Sequence, residues 1–278
     1  LEFYIDCGAD YALTERKLGF IGAGNMACAI LGGLLRQKLL PPQQVMMADP
    51  MAEKLDCPRK LGVHITQSNR DAADFADILI LAVKPQTFDD VLSDLADLVA
   101  GTCVVSIAPG ISSGYLRRRL HGADVVRVMP NTPLLVGKGT TAIAECAGIP
   151  EDTFQAVKDI FSAAGEVAVI PESQMDSIVA VSGSSPAFFF RIIDAMVTEA
   201  ERQGIDPALA LRMAAQTMEG SAVMLLQAGK TAKQLTKQVC SPGGTTLAAL
   251  SAFDEMGFEA MVSEAMTRCS KRSKELGK

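Results

Sequence analysis

Tryptophan is absent from this 278-residue chain, and aromatic residues make up only 5% of it. The core must therefore be built from Ala, Leu, Ile, Val and Met. Histidine is nearly as scarce: His64 and His121 stand alone, far from any cysteine cluster. Seven cysteines are scattered at positions 7, 28, 57, 103, 146, 240 and 269, an odd number with no CxxC pair. That distribution argues against a disulfide framework and a zinc site. Reduced thiols in a cytoplasmic protein fit it better. Long basic runs are missing too, and the formal net charge is −6. The densest cluster, Arg117-Arg118-Arg119, reads as a solvated helix face rather than a phosphate patch. A nucleic-acid partner is not expected, because backbone binding needs a concentrated positive surface.

No apolar stretch runs uninterrupted for about 18 residues, so no membrane span is expected. One segment imitates a signal peptide: Lys17 followed by an apolar run through Leu35, with Ala27-Cys28-Ala29 inside it. It contains five Gly and an Asn, which suit a turn and a tightly packed helix better. Residues 1–16 show no clear period and read as a non-native leader.

What is present is ordinary for a globular protein of one or two domains: 49% hydrophobic and 21% charged residues. The first half alternates short β-branched runs with amphipathic segments. Strands are expected at 18–21, 45–48, 63–65, 78–83, 103–107 and 125–129. Helices are expected at 25–37, 51–61, 87–98 and 112–120. The run Ile78 to Val83 is continuously apolar, as in a parallel strand covered on both faces. This βαβα rhythm predicts a doubly wound parallel sheet of Rossmann type. Two further strands, 140–144 and 166–170, flank a helix at 151–163. Beyond Glu172 only helices are expected: 173–181, 186–203, 207–228, 231–239, 245–256 and 258–275. Gly204 and Gly229 sit where C-caps belong, and Pro207 sits in a first helical turn. The fold class is therefore α/β, with a dinucleotide-binding domain over 17–172 and an all-α domain over 173–278. The helix 207–228 is apolar over much of its surface. It is either the centre of its own bundle or an element buried between two subunits.

Gly22-Ala23-Gly24-Asn25-Met26-Ala27 follows the first strand directly. Gly22 permits the tight turn, Gly24 lets a pyrophosphate approach the backbone, and Ala27 keeps the helix close to the strand. The helix N-terminus adds free N–H groups and positive dipole potential. Asp49 ends the second strand at the ribose-reading position. A carboxylate there accepts from a 2′-hydroxyl and repels a 2′-phosphate, a lean toward NADH; Lys54 or Arg59 could still reach a phosphate. Asp49 also reads as a simple turn residue before Pro50.

Three more motifs lie at C-terminal strand ends: Val83-Lys84-Pro85, Ala108-Pro109-Gly110, and Met129-Pro130-Asn131-Thr132-Pro133. Each could be loop chemistry alone, but together they line one sheet edge. Two motifs lie in the helical half: Ser182-Gly183-Ser184-Ser185-Pro186-Ala187 and Ser241-Pro242-Gly243-Gly244-Thr245-Thr246. The second exposes consecutive N–H groups and two Thr hydroxyls at a helix start, which suits a carboxylate without any Arg.

The set FIGAGNMA (20–27), AVKP (82–85), MPNTP (129–133), SGSSPA (182–187) and CSPGGTT (240–246) resembles pyrroline-5-carboxylate reductase, in order and spacing, over residues 17 to about 275. The resemblance implies reduction of 1-pyrroline-5-carboxylate to L-proline with NADPH or NADH, the last step of proline biosynthesis. It also implies a helical C-terminal domain that interlocks in a dimer, and dimers that often assemble into decamers. The family's cofactor contacts fall on Ile21, Gly22, Ala23, Gly24, Asn25, Met26, Asp49, Asn69, Val83, Lys84 and Ala108. Asn69 reads equally as part of a helix cap near Ser68, and Lys84 as part of a loop shaped by Pro85. Substrate contacts fall on Glu172, Val239, Ser241, Gly244, Thr245 and Thr246, with Thr246 the catalytic position and no metal. The family varies at position 49, which leaves the choice of dinucleotide open. Two other readings stand beside this one. A β-hydroxyacid dehydrogenase shares the turn and a helical second domain, but Lys230, Lys233 and Lys237 do not lie in its lysine motif. A protein that binds NAD(P)H without turning it over is the other.

Overall fold

The computed structural model describes residue 13 and residues 15–277. Most of the expected leader therefore lies outside the described residues. Leu13 is within them, and it is fully buried in the core beside the first strand.

The chain divides into two compact units, one comprising the residues up to Ser184 together with Cys269 onward, the other Ser185–Arg268. The first unit is a sheet layered between helices. Its elements run β1 (Leu18–Ile21), α1 (Asn25–Arg36), β2 (Val45–Ala48), α2 (Asp56–Lys60), β3 (His64–Thr66), α3 (Asn69–Phe75), β4 (Ile78–Leu81), α4 (Phe88–Leu95), β5 (Cys103–Ser106), α5 (Ser113–Arg119) and β6 (Asp124–Pro130). They continue through β7 (Gly139–Ala144), α6 (Glu151–Ser162), β8 (Gly165–Ile170) and the short α7 (Met175–Ile178). The eight strands lie in the order β3-β2-β1-β4-β5-β6-β7-β8. Pairing is parallel from β3 to β6, antiparallel between β6 and β7, and parallel again between β7 and β8. The order reverses between β1 and β4, which opens a crevice at the C-terminal ends of those strands.

Alternation along the strands builds two cores, one on each face. Leu18, Phe20, Ile78, Ile80, Cys103 and Val105 join α1 and α6 on one side. Ile21, Leu79, Leu81 and Val104 join α3, α4 and α5 on the other. Every residue of β1, β4 and β5 is buried, as strands covered on both faces require. Each large apolar side chain so enclosed contributes roughly 1.5–3 kcal/mol relative to exposure.

Several elements differ from the sequence-based expectation. The helix expected over 51–61 is split into a 3-10 turn (Ala52–Leu55) and α2. Pro58 lies in the first turn of α2, where its missing N–H costs nothing; in one continuous helix from 51 it would break a hydrogen bond. The strand at 78–83 stops at Leu81, and the helix at 87–98 spans only Phe88–Leu95 after a 3-10 turn. The helix at 173–181 is a 3-10 turn, α7 and a π-turn over Val179–Gly183, closed by the Ser184 amide on the Val179 carbonyl at 2.7 Å.

The second unit is all helix: α8 (Ser185–Arg202), α9 (Pro207–Gln227), α10 (Ala232–Val239), α11 (Thr245–Glu255) and the first part of α12 (Phe258–Leu276). Gly204 and Gly229 adopt the left-handed backbone of C-caps, Pro207 opens α9, and the Asp206 carboxylate caps that helix through the Leu209 amide. None of the α9 residues is buried, and Leu211, Met213 and Leu226 are exposed. The helical stretch Glu172–Arg202 is long and apolar enough, by length and composition, to cross a membrane. Part of it packs on the sheet unit, where Met175, Val179 and Ala180 are buried.

Candidate active site

Residues at the C-terminal edge of the parallel strands form one candidate region, in the sheet unit. The Gly22 amide donates to the Ala48 carbonyl at 2.7 Å, tying the turn to β2. Its φ is +96°, and a Cβ there would stand 2.6 Å from the Ala82 carbonyl oxygen. Only glycine can make this turn while β4 lies so close. Beyond it, a Cβ on Gly24 would meet nothing within 4 Å, so the approach to the α1 N-terminus is open. No acidic residue occupies the first turn of α1. The amides of the first turn of α1, an open approach and the absence of a carboxylate within that turn fit a pyrophosphate.

Asp49 is almost fully buried. Its Oδ2 accepts from the Ala23 amide at 2.9 Å and its Oδ1 from the Met51 amide at 3.0 Å. Lys54 Nζ stands 3.6 Å from Oδ2. Cys28, on α1, has its thiol pushed up, first by burial and then by Cys57 and Asp49.

Asn69 is the first residue of α3, and Ser68 rather than Asn69 is the cap, accepting from the Asp71 amide. The Asn69 side-chain amide reaches Asp94 at 3.5 Å. Val83 and Lys84 follow β4; the Lys84 carbonyl accepts from the Thr87 amide and hydroxyl, and its side chain is exposed. Ala108 follows β5 and is buried, its amide donating to Ser106 Oγ at 3.4 Å. Thus Ile21–Met26, Asp49, Val83, Lys84 and Ala108 gather on one edge of one sheet.

A second candidate region lies in the helical unit. Val239 ends α10 and is exposed. The Gly244 amide donates to the Ser241 carbonyl at 3.0 Å, and Gly244 is the N-cap of α11 with an extended backbone. Thr245 and Thr246 are the first two helical residues, and the first turn again holds no acidic residue. Ser241, Gly244, Thr245 and Thr246 are thus brought together in one helix-opening turn.

Glu172 lies instead in the sheet unit. Its two carboxylate oxygens accept from the Ser113 amide, at 2.8 Å, and from the Ser113 hydroxyl. Arg127, buried in β6, stands 3.9 Å from Glu172 and donates to Asp176 at 2.6 Å. Sequence reasoning missed this cluster, although an Arg inside the apolar run Val-Val-Arg-Val-Met was its visible signal. It also missed the tie made by Asn131. That side chain donates to Thr140 Oγ1 and the Ser182 carbonyl and accepts from the Thr140 amide, joining MPNTP to the π-turn.

A Rossmann sheet with this glycine turn and a separate helical unit defines a dinucleotide-dependent oxidoreductase. Residues 17–110 match the domain described as NADP oxidoreductase, coenzyme F420-dependent, and residues 172–276 match pyrroline-5-carboxylate reductase dimerisation. Pyrroline-5-carboxylate reductase of Escherichia coli K12 is 42% identical over 268 residues, covering 95% of this chain and 99% of that protein. The Coxiella burnetii pyrroline-5-carboxylate reductase structure superposes with a TM-score of 0.86 at 35% identity, covering 95% and 99% of the two chains. The Plasmodium falciparum pyrroline carboxylate reductase, solved with NADP bound, gives 0.89 at 28% identity, covering 96% and 100%. The chain belongs to the pyrroline-5-carboxylate reductase family. It carries that family's dimerisation domain, and self-association follows from it.

Proposed function

We propose that this chain reduces 1-pyrroline-5-carboxylate to L-proline with NADPH or NADH, the last step of proline biosynthesis. The observation that carries the reading is the turn Ser241–Thr246 opening α11, with the amides of Thr245 and Thr246 at the helix start and their two hydroxyls. It suits the carboxylate of a small cyclic imino acid. Residues 17–172 serve as the dinucleotide-binding domain and 173–278 as the dimerisation and substrate-binding domain.

When bound, the dinucleotide supplies the hydride that adds to the imine carbon. The backbone of Ile21–Met26 holds the pyrophosphate, with Asp49, Asn69, Val83, Lys84 and Ala108 along the adenosine and nicotinamide ends. The amides of Gly243, Thr245 and Thr246 hold the substrate carboxylate, beside Val239 and Ser241, while the Gly244 amide closes the turn on the Ser241 carbonyl. Thr246 hydrogen-bonds the ring nitrogen, orients the substrate and relays a proton to that nitrogen from water; a Thr hydroxyl is too weak an acid to be its source. Glu172 joins the substrate set through its family position. Asp49 opposes a 2′-phosphate, while Lys54 supplies the charge such a phosphate would meet. The working form is a cytoplasmic dimer, free of membrane and nucleic acid, that assembles further into decamers.

The test is oxidation of NADPH and of NADH in parallel with 1-pyrroline-5-carboxylate, with 3-hydroxyisobutyrate as the contrasting substrate. Proline formation with either dinucleotide is the expected result. Failure with both would sink the reading.

A further inference from the structure

The last turns of α12 return to the sheet unit, where two of their residues and the Gly277 that follows them make contacts in succession. Cys269 Sγ lies 3.3 Å from Ser184 Oγ, beside the π-turn. One helical turn on, Ser273 is buried, and its hydroxyl donates to Asp176 Oδ1 at 2.8 Å. The same oxygen receives Arg127 Nη2 at 2.6 Å, so Ser273 is tied through one carboxylate to the interior of β6. Gly277 then meets the loop that follows β5. A Cβ on Gly110 would stand 2.5 Å from the Ser273 carbonyl oxygen and 2.8 Å from the Gly277 nitrogen. A Cβ on Gly277 would stand 2.6 Å from the Gly110 oxygen. Gly110 itself has φ +79°, a conformation that side chains rarely adopt. The two backbones are therefore in direct contact, and no side chain could be placed between them.

Gly110 closes the loop Ala108–Gly110. Ala108 is among the residues proposed to lie against the dinucleotide, and this inference rests on that reading. We infer that the final turn of α12 is a positioning element for the loop Ala108–Gly110, and that Ser273 is the positioning residue that anchors it. The anchor is polar and directional: one hydroxyl, one carboxylate, one buried guanidinium. Ser273→Ala leaves the helix intact and frees its last turn, so the loop loses its backing while the glycine turn at 22–24 is untouched. The effect belongs to the dinucleotide and not to the imino acid.

The test compares the full-length protein with Ser273→Ala, Ser273→Thr and a variant ending at Leu276, which removes the Gly277 part of the backbone contact with Gly110 but keeps Ser273. Amide exchange in the peptide 105–111 is measured without cofactor. Dinucleotide binding is then read from reduced-nicotinamide fluorescence, which no tryptophan in this chain disturbs. Faster exchange, with dinucleotide binding weakened about three- to tenfold, as loss of a single hydrogen bond implies, is expected in Ser273→Ala and in the shortened chain. The KM for the imino acid stays unchanged, and Ser273→Thr recovers most of the binding. Unchanged exchange at 105–111 in folded variants overturns the proposal, whatever the wild-type activity. Equal losses in dinucleotide binding and imino-acid KM overturn it too, because the turn would then only stabilise the fold. Faster exchange with unaltered dinucleotide binding overturns the link to the cofactor. Wild-type protein that binds no dinucleotide would instead be a failure of the underlying reading, and is seen before any variant is made.

Discussion

The carboxylate of Asp49 holds the amide of Ala23 at 2.9 Å, so the residue that ends β2 splints the glycine turn that ends β1. Its other oxygen holds Met51, which fixes the start of the next loop. The acid proposed to read the ribose thus also keeps the glycine turn in shape. Two functions rest on one side chain, and substitution separates them.

Asp49→Ala removes two hydrogen bonds to a charged, buried acceptor. Each such bond contributes about 1.5–3 kcal/mol. Urea unfolding should show a loss of about 2–4 kcal/mol, since some water will enter the gap. The ratio of kcat/KM with NADPH to that with NADH should rise, because the repulsion toward a 2′-phosphate is gone. A ratio that does not move would show that Asp49 only braces the turn.

Thr246→Ala takes a hydroxyl from the second residue of α11 without touching the backbone amides of that helix-opening turn. Turnover should fall roughly 10- to 1000-fold, the scale for one positioned proton donor. Steady-state kinetics on protein of unchanged circular dichroism make the check. Full activity in that variant would remove Thr246 from the proton path.

Arg127 is buried in β6 beside Asp176 and Glu172. Arg127→Ala leaves two carboxylates without their cation. Breaking one partner of a buried pair costs about 3–5 kcal/mol. A thermal-unfolding comparison with Arg127→Lys, which keeps the charge, should show the alanine variant as much the less stable.

Cys103 sits in β5, where burial, then Asp124 and Cys146, push its thiol from 9.0 up to about 12, with Arg16 pulling the other way. Because the folded value lies above the unfolded one, the native state binds more protons between them. This contribution to stability is complete below about pH 9 and is lost as pH rises toward about 12. At neutral pH the exposed Cys57 should react with a thiol reagent first and Cys103 only on unfolding, as mass spectrometry of labelled peptides would show.

Much of this fold was legible in the sequence, because buried parallel strands write themselves as short, largely apolar runs rich in Val, Ile and Leu. Ile78–Leu81 and Cys103–Ser106 are such runs, and each was placed within two residues of its observed end. The glycine turn was legible because its steric demand admits so few residues. Ends of helices were harder. Pro58 is acceptable in a first turn and forbidden in a helix interior, and hydrophobic period alone does not distinguish the two. The π-turn at Val179–Gly183 was not legible at all, since one extra residue per turn leaves no mark in composition. Nor was the antiparallel join of β6 to β7, which the chain direction after Pro130 decides. In the site, local motifs could be read, whereas the ties of Asp176 to Arg127 and Asn131 to Ser182 could not. Each of those joins residues about fifty positions apart.

The uncovered α9 has one last consequence, and it concerns mass action. A chain that leaves Leu211, Met213 and Leu226 to water when single gains much of its free energy only on pairing. Its unfolding is then coupled to dissociation, and the two cannot be measured apart. The melting temperature of this protein should climb with protein concentration, and a stability quoted without that concentration would describe no particular state of the molecule.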